Sequence, residues 1–179
     1  MVTDSLTRLN LVRDFVNTLD LETGVDAIGT PQQLASWLSD NGLVDDLVQP
    51  SKAEHGDALA VREAIRELLL EHNGCECNTT AASATLEEAG RKAKLAVRFV
   101  GGLPTLAPEC EDTRGGIGRI VAAVAELATT SEWQRLKACR DDHCRVAFYD
   151  KSRNRSRAWC SMEVCGNREK ARTFRAKHH

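Results

Sequence analysis

Four cysteines in the last quarter of this sequence have the types and spacing to hold a metal. Cys139 and Cys144 are separated by four residues, Cys160 and Cys165 by another four, and fifteen residues lie between the two pairs. Zinc takes four soft ligands in a tetrahedron, and two short pairs supply them because a local turn brings the sulfurs of each pair together. Four thiolates leave no open position for water, so the ion such a set holds is structural rather than catalytic. His143, beside Cys144, is a competing ligand by type but reads as a bystander next to two matched pairs. Metal binding to such a set is also folding free energy, because the unfolded chain has no preformed site.

The cysteines sit in a basic segment. From Cys139 to His179 eleven Lys and Arg stand against five Asp and Glu, whereas the preceding residues hold thirteen basic and twenty-one acidic groups, so the overall charge of −2 hides two regions of opposite sign. Opposite charge points to two modules with different partners. Lys151, Arg153, Arg155 and Arg157 alternate with other residues. On an extended segment they would share one face and form a ridge suited to phosphates, with binding that weakens as salt rises. After Cys165, Gly166 permits a tight turn and Asn167 can cap a helix running on to Lys177. Ala171 and Phe174 are spaced to face inward, leaving Lys170, Arg172, Arg175 and Lys177 to solvent as candidates for contact with a nucleic-acid groove. Arg168 reads equally as such a contact or as a cation neutralising the zinc–thiolate centre, and Trp159 reads as core packing.

The elements that must position these groups are mainly helical. Leu6, Leu9, Val12, Phe15, Val16 and Leu19 recur at helical spacing. Thr30-Pro31 opens a short helix with Leu34, Trp37 and Leu38 buried and Gly42 closing it. Ser51 and Glu54 form a capping box for a helix ending near Asn73-Gly74. A further helix is expected from about Thr80 to Lys92, then a small β-hairpin in which Leu95, Val97 and Phe99 alternate, Gly101-Gly102 turns, and Leu103 to Ala107 returns. Gly115 to Ala128 is the last apolar helix before the cysteines. The expected fold is an orthogonal helical domain over residues 1–135 and a treble-clef-like four-cysteine finger over 136–179, with no flexible linker between them.

Other signals are weaker. Cys75-Glu76-Cys77 reads as an incidental surface turn, and Gly115-Gly116-x-Gly118 lacks the strand and lysine of a phosphate loop. No nucleophile–base signature is present, so a non-enzymatic protein is expected. No apolar run is long enough to span a membrane and no secretory leader is visible, so the expected location is the cytoplasm, where paired cysteines bind metal rather than oxidise.

The run from Phe148 to Arg168 resembles the bacterial CGNR-type zinc finger family, whose name-giving tetrapeptide is Cys165 to Arg168. Ser152 to Arg157 and Trp159 to Met162 also fit. Ala158 departs from the pattern, since members more often carry a second basic residue there. Phe15-Val16-Asn17-Thr18-Leu19-Asp20 is similar to the opening motif of the ABATE-type stress-induced transcription regulator domain that usually precedes this finger. The resemblance implies one structural zinc, DNA as partner, a small-molecule or stress effector, and a regulatory domain that senses or dimerises. Within that motif, Asn17 and Asp20 are candidates for an effector pocket, against hydrogen bonds that fix a helix end. The reading from another class is a protein-interaction adaptor whose zinc module only staples the C-terminal segment to the helical body. A treble-clef nuclease is disfavoured because no histidine pair accompanies the cysteines.

Overall fold

The computed structural model describes residues 5–45 and 48–177. Among these are six α-helices: α1 (Ser5–Val16), α2 (Pro31–Asp40), α3 (Lys52–Glu71), α4 (Thr79–Lys92), α5 (Thr113–Ala128) and α6 (Asn167–Lys177). Two antiparallel hairpins complete the fold, β1 (Ala96–Val100) with β2 (Leu103–Ala107), and β3 (Leu136–Ala138) with β4 (Ala147–Tyr149). The predicted helix starts are real caps. Thr30 accepts the Gln33 amide with Pro31 in the first turn, and Ser51 and Glu54 close a reciprocal capping box. Asn78 and Asp112 cap α4 and α5 in the same manner. Each cap satisfies amides that the first turn of a helix leaves without partners.

α3 is the central element, packing on α1, α4, α5 and β3. Phe15, Ile28, Leu34, Leu38, Ile65, Leu69, Ile120 and Leu127 are fully buried around it. The same apolar cluster takes in Leu136, Ala138 and Ala147 of the second hairpin. The C-terminal hairpin therefore shares the core of the helical body rather than hanging from it.

The first hairpin differs from its expected packing. Gly101 and Gly102 both take positive φ, the turn that suits the right-handed twist of a two-residue hairpin. Yet Val97 and Phe99 are 59% and 74% exposed. The ribbon has only two strands, and towards its tip both faces meet solvent: Val97, Phe99 and Pro104 on one, Val100 and Leu103 on the other. On β2, Thr105 Oγ1 and the Leu106 amide both donate to Glu126 of α5, which covers the outer edge of that strand. The edge of β1 has no such cover among the described residues.

The glycines at the start of α5 are a packing device. A Cβ at Gly115 would lie 1.9 Å from the Cys110 carbonyl oxygen, and one at Gly118 would lie 2.4 Å from the Ala93 Cβ. Helix α5 thus comes close to the loop before it and to the end of α4 at points where only hydrogen fits. Gly115→Ala is expected to destabilise the protein by about 1–3 kcal/mol, because the clash is with backbone and cannot be relieved by a rotamer. Urea denaturation of the variant checks this, and an unchanged midpoint would show that the approach is not tight.

Candidate metal centre and basic surface

The first cysteine pair lies on the connection of the second hairpin. The Cys139 amide donates to the Val146 carbonyl, continuing the ladder, and the amides of Cys144 and Arg145 both turn back to the Asp141 carbonyl. Arg145 takes a left-handed φ of 48° to close this knuckle. The second pair lies on helical backbone. Ser161 accepts the Val164 amide, and Met162–Gly166 form a π-helical turn that runs directly into α6. Two sequence expectations change here. Asn167 is helical and its side chain donates back to the Glu163 carbonyl, so the start of the helical run is capped by Ser161. Gly166 makes no left-handed turn; it leaves room for Met162, whose sulfur would lie 2.5 Å from an added Cβ.

The ligand atoms of Cys139, Cys144, Cys160 and Cys165 all lie within 4.8 Å of one another. Sγ of Cys160 is 3.4 Å from that of Cys144 and 3.7 Å from that of Cys165. A tetrahedral zinc with bonds of about 2.3 Å places its sulfurs roughly 3.8 Å apart, so the donor set fits one such ion. Four crowded sulfurs cannot ionise together unaided. The Cys144 thiol donates to Cys139 and lowers it, while Cys144 itself is pushed far up and burial pushes Cys165 up to about 12. A divalent cation relieves this crowding. His143 is exposed and outside the cluster.

The basic residues divide into two groups. Arg157 is structural: its guanidinium donates to the carbonyls of Trp159 and Cys160 and stacks 5.0 Å from the Phe148 ring. Arg168 meets Glu22 at 3.0 Å, Asp141 at 3.0 Å and the Cys165 sulfur at 3.8 Å. Its Nε contact with Asp141 is a charge contact without hydrogen-bond alignment, leaving both atoms without that bond. Arg172 pairs with Glu169 and faces Asp142. By contrast Lys151, Arg153, Arg155 and Lys170 are exposed, and among the described residues their side chains have no acidic partner. Arg175 is exposed and, among the described residues, bonded only to the carbonyl one turn back. The expected extended ridge is absent. Residues 151–157 form a compact series of turns, with Arg155 at a φ of 51°, because Asp150 and Lys137 draw its backbone inward. Helix α6 buries no residue, and Phe174, expected inward, is 64% exposed.

The helical body grips the module through polar contacts that spacing did not reveal. Asn17 donates to the Ala147 carbonyl at 3.0 Å and accepts the Ala147 amide at 2.7 Å, docking the end of α1 on β4. Buried Arg66 bridges the carbonyls of Val16 and Arg145. Asn73 donates to the carbonyls of Ala138 and Ala158, and His72 meets the Leu136 carbonyl. Asp20 accepts from Glu22 and Thr23, which hold its carboxyl below the usual range and shape the turn that presents Glu22 to Arg168. Asn73 and Arg66 carried no motif; the only sequence signal was a polar residue at a predicted helix end and an arginine on the apolar side of α3.

Two families match the chain. The one described as Putative stress-induced transcription regulator (ABATE) matches residues 9–131, and the CGNR zinc finger matches residues 135–178. No curated protein matches the chain. Among the described residues no helix is long and apolar enough to cross a membrane. Together the finger family and the four-cysteine cluster give one structural zinc ion.

Elemental analysis is expected to find one zinc per chain. Because Leu136, Ala138 and Ala147 belong to the main core, chelation should lower the melting temperature of the whole protein. Zinc should also be lost progressively on acidification, as protons compete for the thiolates. A zinc-free protein with an unchanged melt would contradict the structural assignment.

Proposed function

We infer the function of a chain that belongs to the stress-induced transcription regulator family and ends in a CGNR zinc finger: it binds DNA through the finger. Residues 1–135 act as the regulatory part and 136–179 as the DNA-binding part, with Cys139, Cys144, Cys160 and Cys165 as the zinc ligands. The observation that carries this reading is the division of the cations. Where Arg157, Arg168 and Arg172 are engaged within the protein, Lys151, Arg153, Arg155, Lys170 and Arg175 point charge at solvent from a short turn and from a helix that buries nothing. A helix left uncovered on a module too small to need it for its core is suited to a groove, and the turn to phosphates. The response to stress or to a small effector is carried by the family description alone, since Asn17 is engaged in docking β4 and Asp20 in its own turn.

The adaptor reading retains one favouring observation, the many contacts by which the body holds the finger. It gives no account of α6. Homodimerisation, the other partner of this reading, is favoured by the uncovered edge of β1 beside Val97 and Phe99, since such edges pair with other strands. Sedimentation of the protein should then show a dimer that Phe99→Asp converts to monomer; a monomeric wild type excludes it.

DNA binding is tested by titrating the zinc-loaded protein onto duplex DNA at several salt concentrations. Five phosphate contacts give a slope of log affinity on log salt of about −4 to −5. Replacing Arg153 and Arg155 with Ala should weaken binding about tenfold and flatten that slope by roughly two units with zinc retained. Absence of binding at low salt, with zinc present, would sink the regulator reading and leave the adaptor.

A further inference from the structure

The most deeply buried charges of the C-terminal module lie beneath the exposed arginine turn. Lys137 on β3 is 4% exposed and Asp150, just after β4, is fully buried. Neither residue is hydrogen-bonded to any of the four cysteine sulfurs. The Lys137 ammonium donates to Asp150 Oδ2 at 2.9 Å and to the carbonyls of Arg155 and Arg157. Its three protons thus have three acceptors. Asp150 in turn accepts the Ser152 amide on Oδ1 at 2.9 Å and the Arg157 amide on Oδ2 at 3.0 Å. Arg135 clamps the entry, donating to the carbonyls of Asp150 and Ser152.

We propose that the buried Lys137–Asp150 pair is the positioning device of a nucleic-acid-binding turn, fixing residues 151–157 so that Arg153 and Arg155 face phosphates together. The proposal rests on the DNA-binding reading above. Two physical arguments carry it. A buried ion pair is a poor source of stability, because desolvating both charges offsets most of their attraction, and apolar replacements are often as stable. What an apolar pair cannot do is hold two inward carbonyls and two inward amides. With those four backbone groups tied to one buried centre, Arg155 is held at its left-handed φ and the side chains of Arg153 and Arg155 stand in solvent. The second argument is charge. Unpaired, the Asp150 carboxylate beneath the turn would attract the same arginines and reduce their field; paired with Lys137 it is neutral from outside. Burial alone would push the Asp150 carboxyl up, but the bonds from Ser152, Lys137 and Arg157 outweigh it and hold it well below the usual range.

The test uses the full zinc-loaded chain and three variants: Lys137→Met, Asp150→Asn, and Lys137→Met combined with Asp150→Leu. Each is assayed for zinc content, for melting, for hydrogen exchange at the Ser152 and Arg157 amides, and for the affinity and salt slope of duplex DNA binding. Both single variants are expected to speed exchange at the Arg157 amide at least tenfold, with the Ser152 amide slower to respond in Asp150→Asn. They should also weaken DNA binding about tenfold and flatten the salt slope by roughly two units, with one zinc retained. The double variant should recover melting but neither affinity nor slope. Should Lys137→Met lose zinc or fail to fold, Asp150→Asn decides, since it keeps the shape and an acceptor for Ser152. A double variant that recovers affinity and slope along with melting makes the pair merely stabilising and overturns the proposal. Single variants with wild-type affinity and slope overturn it too. Wild type that binds no DNA at low salt overturns it together with the reading on which it rests, and is told apart by the control titration.

Discussion

A ribbon with three residues per strand cannot bury enough surface to stand alone, and the C-terminal module is built on one. Everything else in the module answers that constraint. At one end, the connection between the strands and the following helical turn bring four sulfurs together, so that zinc replaces the core the ribbon lacks. Along one face, Leu136, Ala138 and Ala147 are handed to the core of the helical body. The ribbon is thus held at its knuckle by the metal and along one face by the body.

The body supplies its hold in a specific currency, side chains that satisfy backbone groups of the ribbon. Asn17 reads both the amide and the carbonyl of Ala147, as a neighbouring strand would. Asn73 reaches two carbonyls, Arg66 joins the end of α1 to the knuckle, and His72 takes the Leu136 carbonyl while meeting Trp133 edge-on. Two of these bonds, Arg66 to the Val16 carbonyl and Asn73 to the Ala138 carbonyl, are buried, so loss of either leaves a polar group stranded at a cost of about 1–3 kcal/mol. The motif Asn17 to Asp20 is therefore the seat of the finger. Asn17 docks β4, and Asp20 folds the turn whose Glu22 meets Arg168 of the second cysteine pair's tetrapeptide.

Much of this was legible in the sequence, and the divide follows range. The zinc set was readable because ligand spacing is local, and the helix starts because caps act over three residues. The glycines of α5 could not be read, since what they avoid, Cys110 and Ala93, is brought there by tertiary packing. The basic ridge failed for a related reason. Alternation over Lys151 to Arg157 predicts a shared face only on extended backbone, and Asp150 folds that backbone by capturing the amides of Ser152 and Arg157. Spacing alone predicts Phe174 to face inward, yet it is 64% exposed, and no residue of α6 is buried among the described residues.

The charge asymmetry seen along the chain also takes on a different meaning in three dimensions. An acidic body would repel DNA if its charge lay beside the finger's cations. Glu22 of the body is instead directed at Arg168, and the finger's own Asp141 and Asp142 at Arg168, Arg145 and Arg172. Arg168 is the residue of α6 that touches both the knuckle and the body, and it does so beside a ligand sulfur. Because the π-helical turn carrying Cys165 continues unbroken into α6, the direction of that helix is set by the metal and trimmed by this one arginine. Its contact with Glu22 is exposed and screened by solvent, whereas zinc binding to a structural site is worth roughly 10–16 kcal/mol. The metal, not the ion pair, therefore decides where the uncovered helix points.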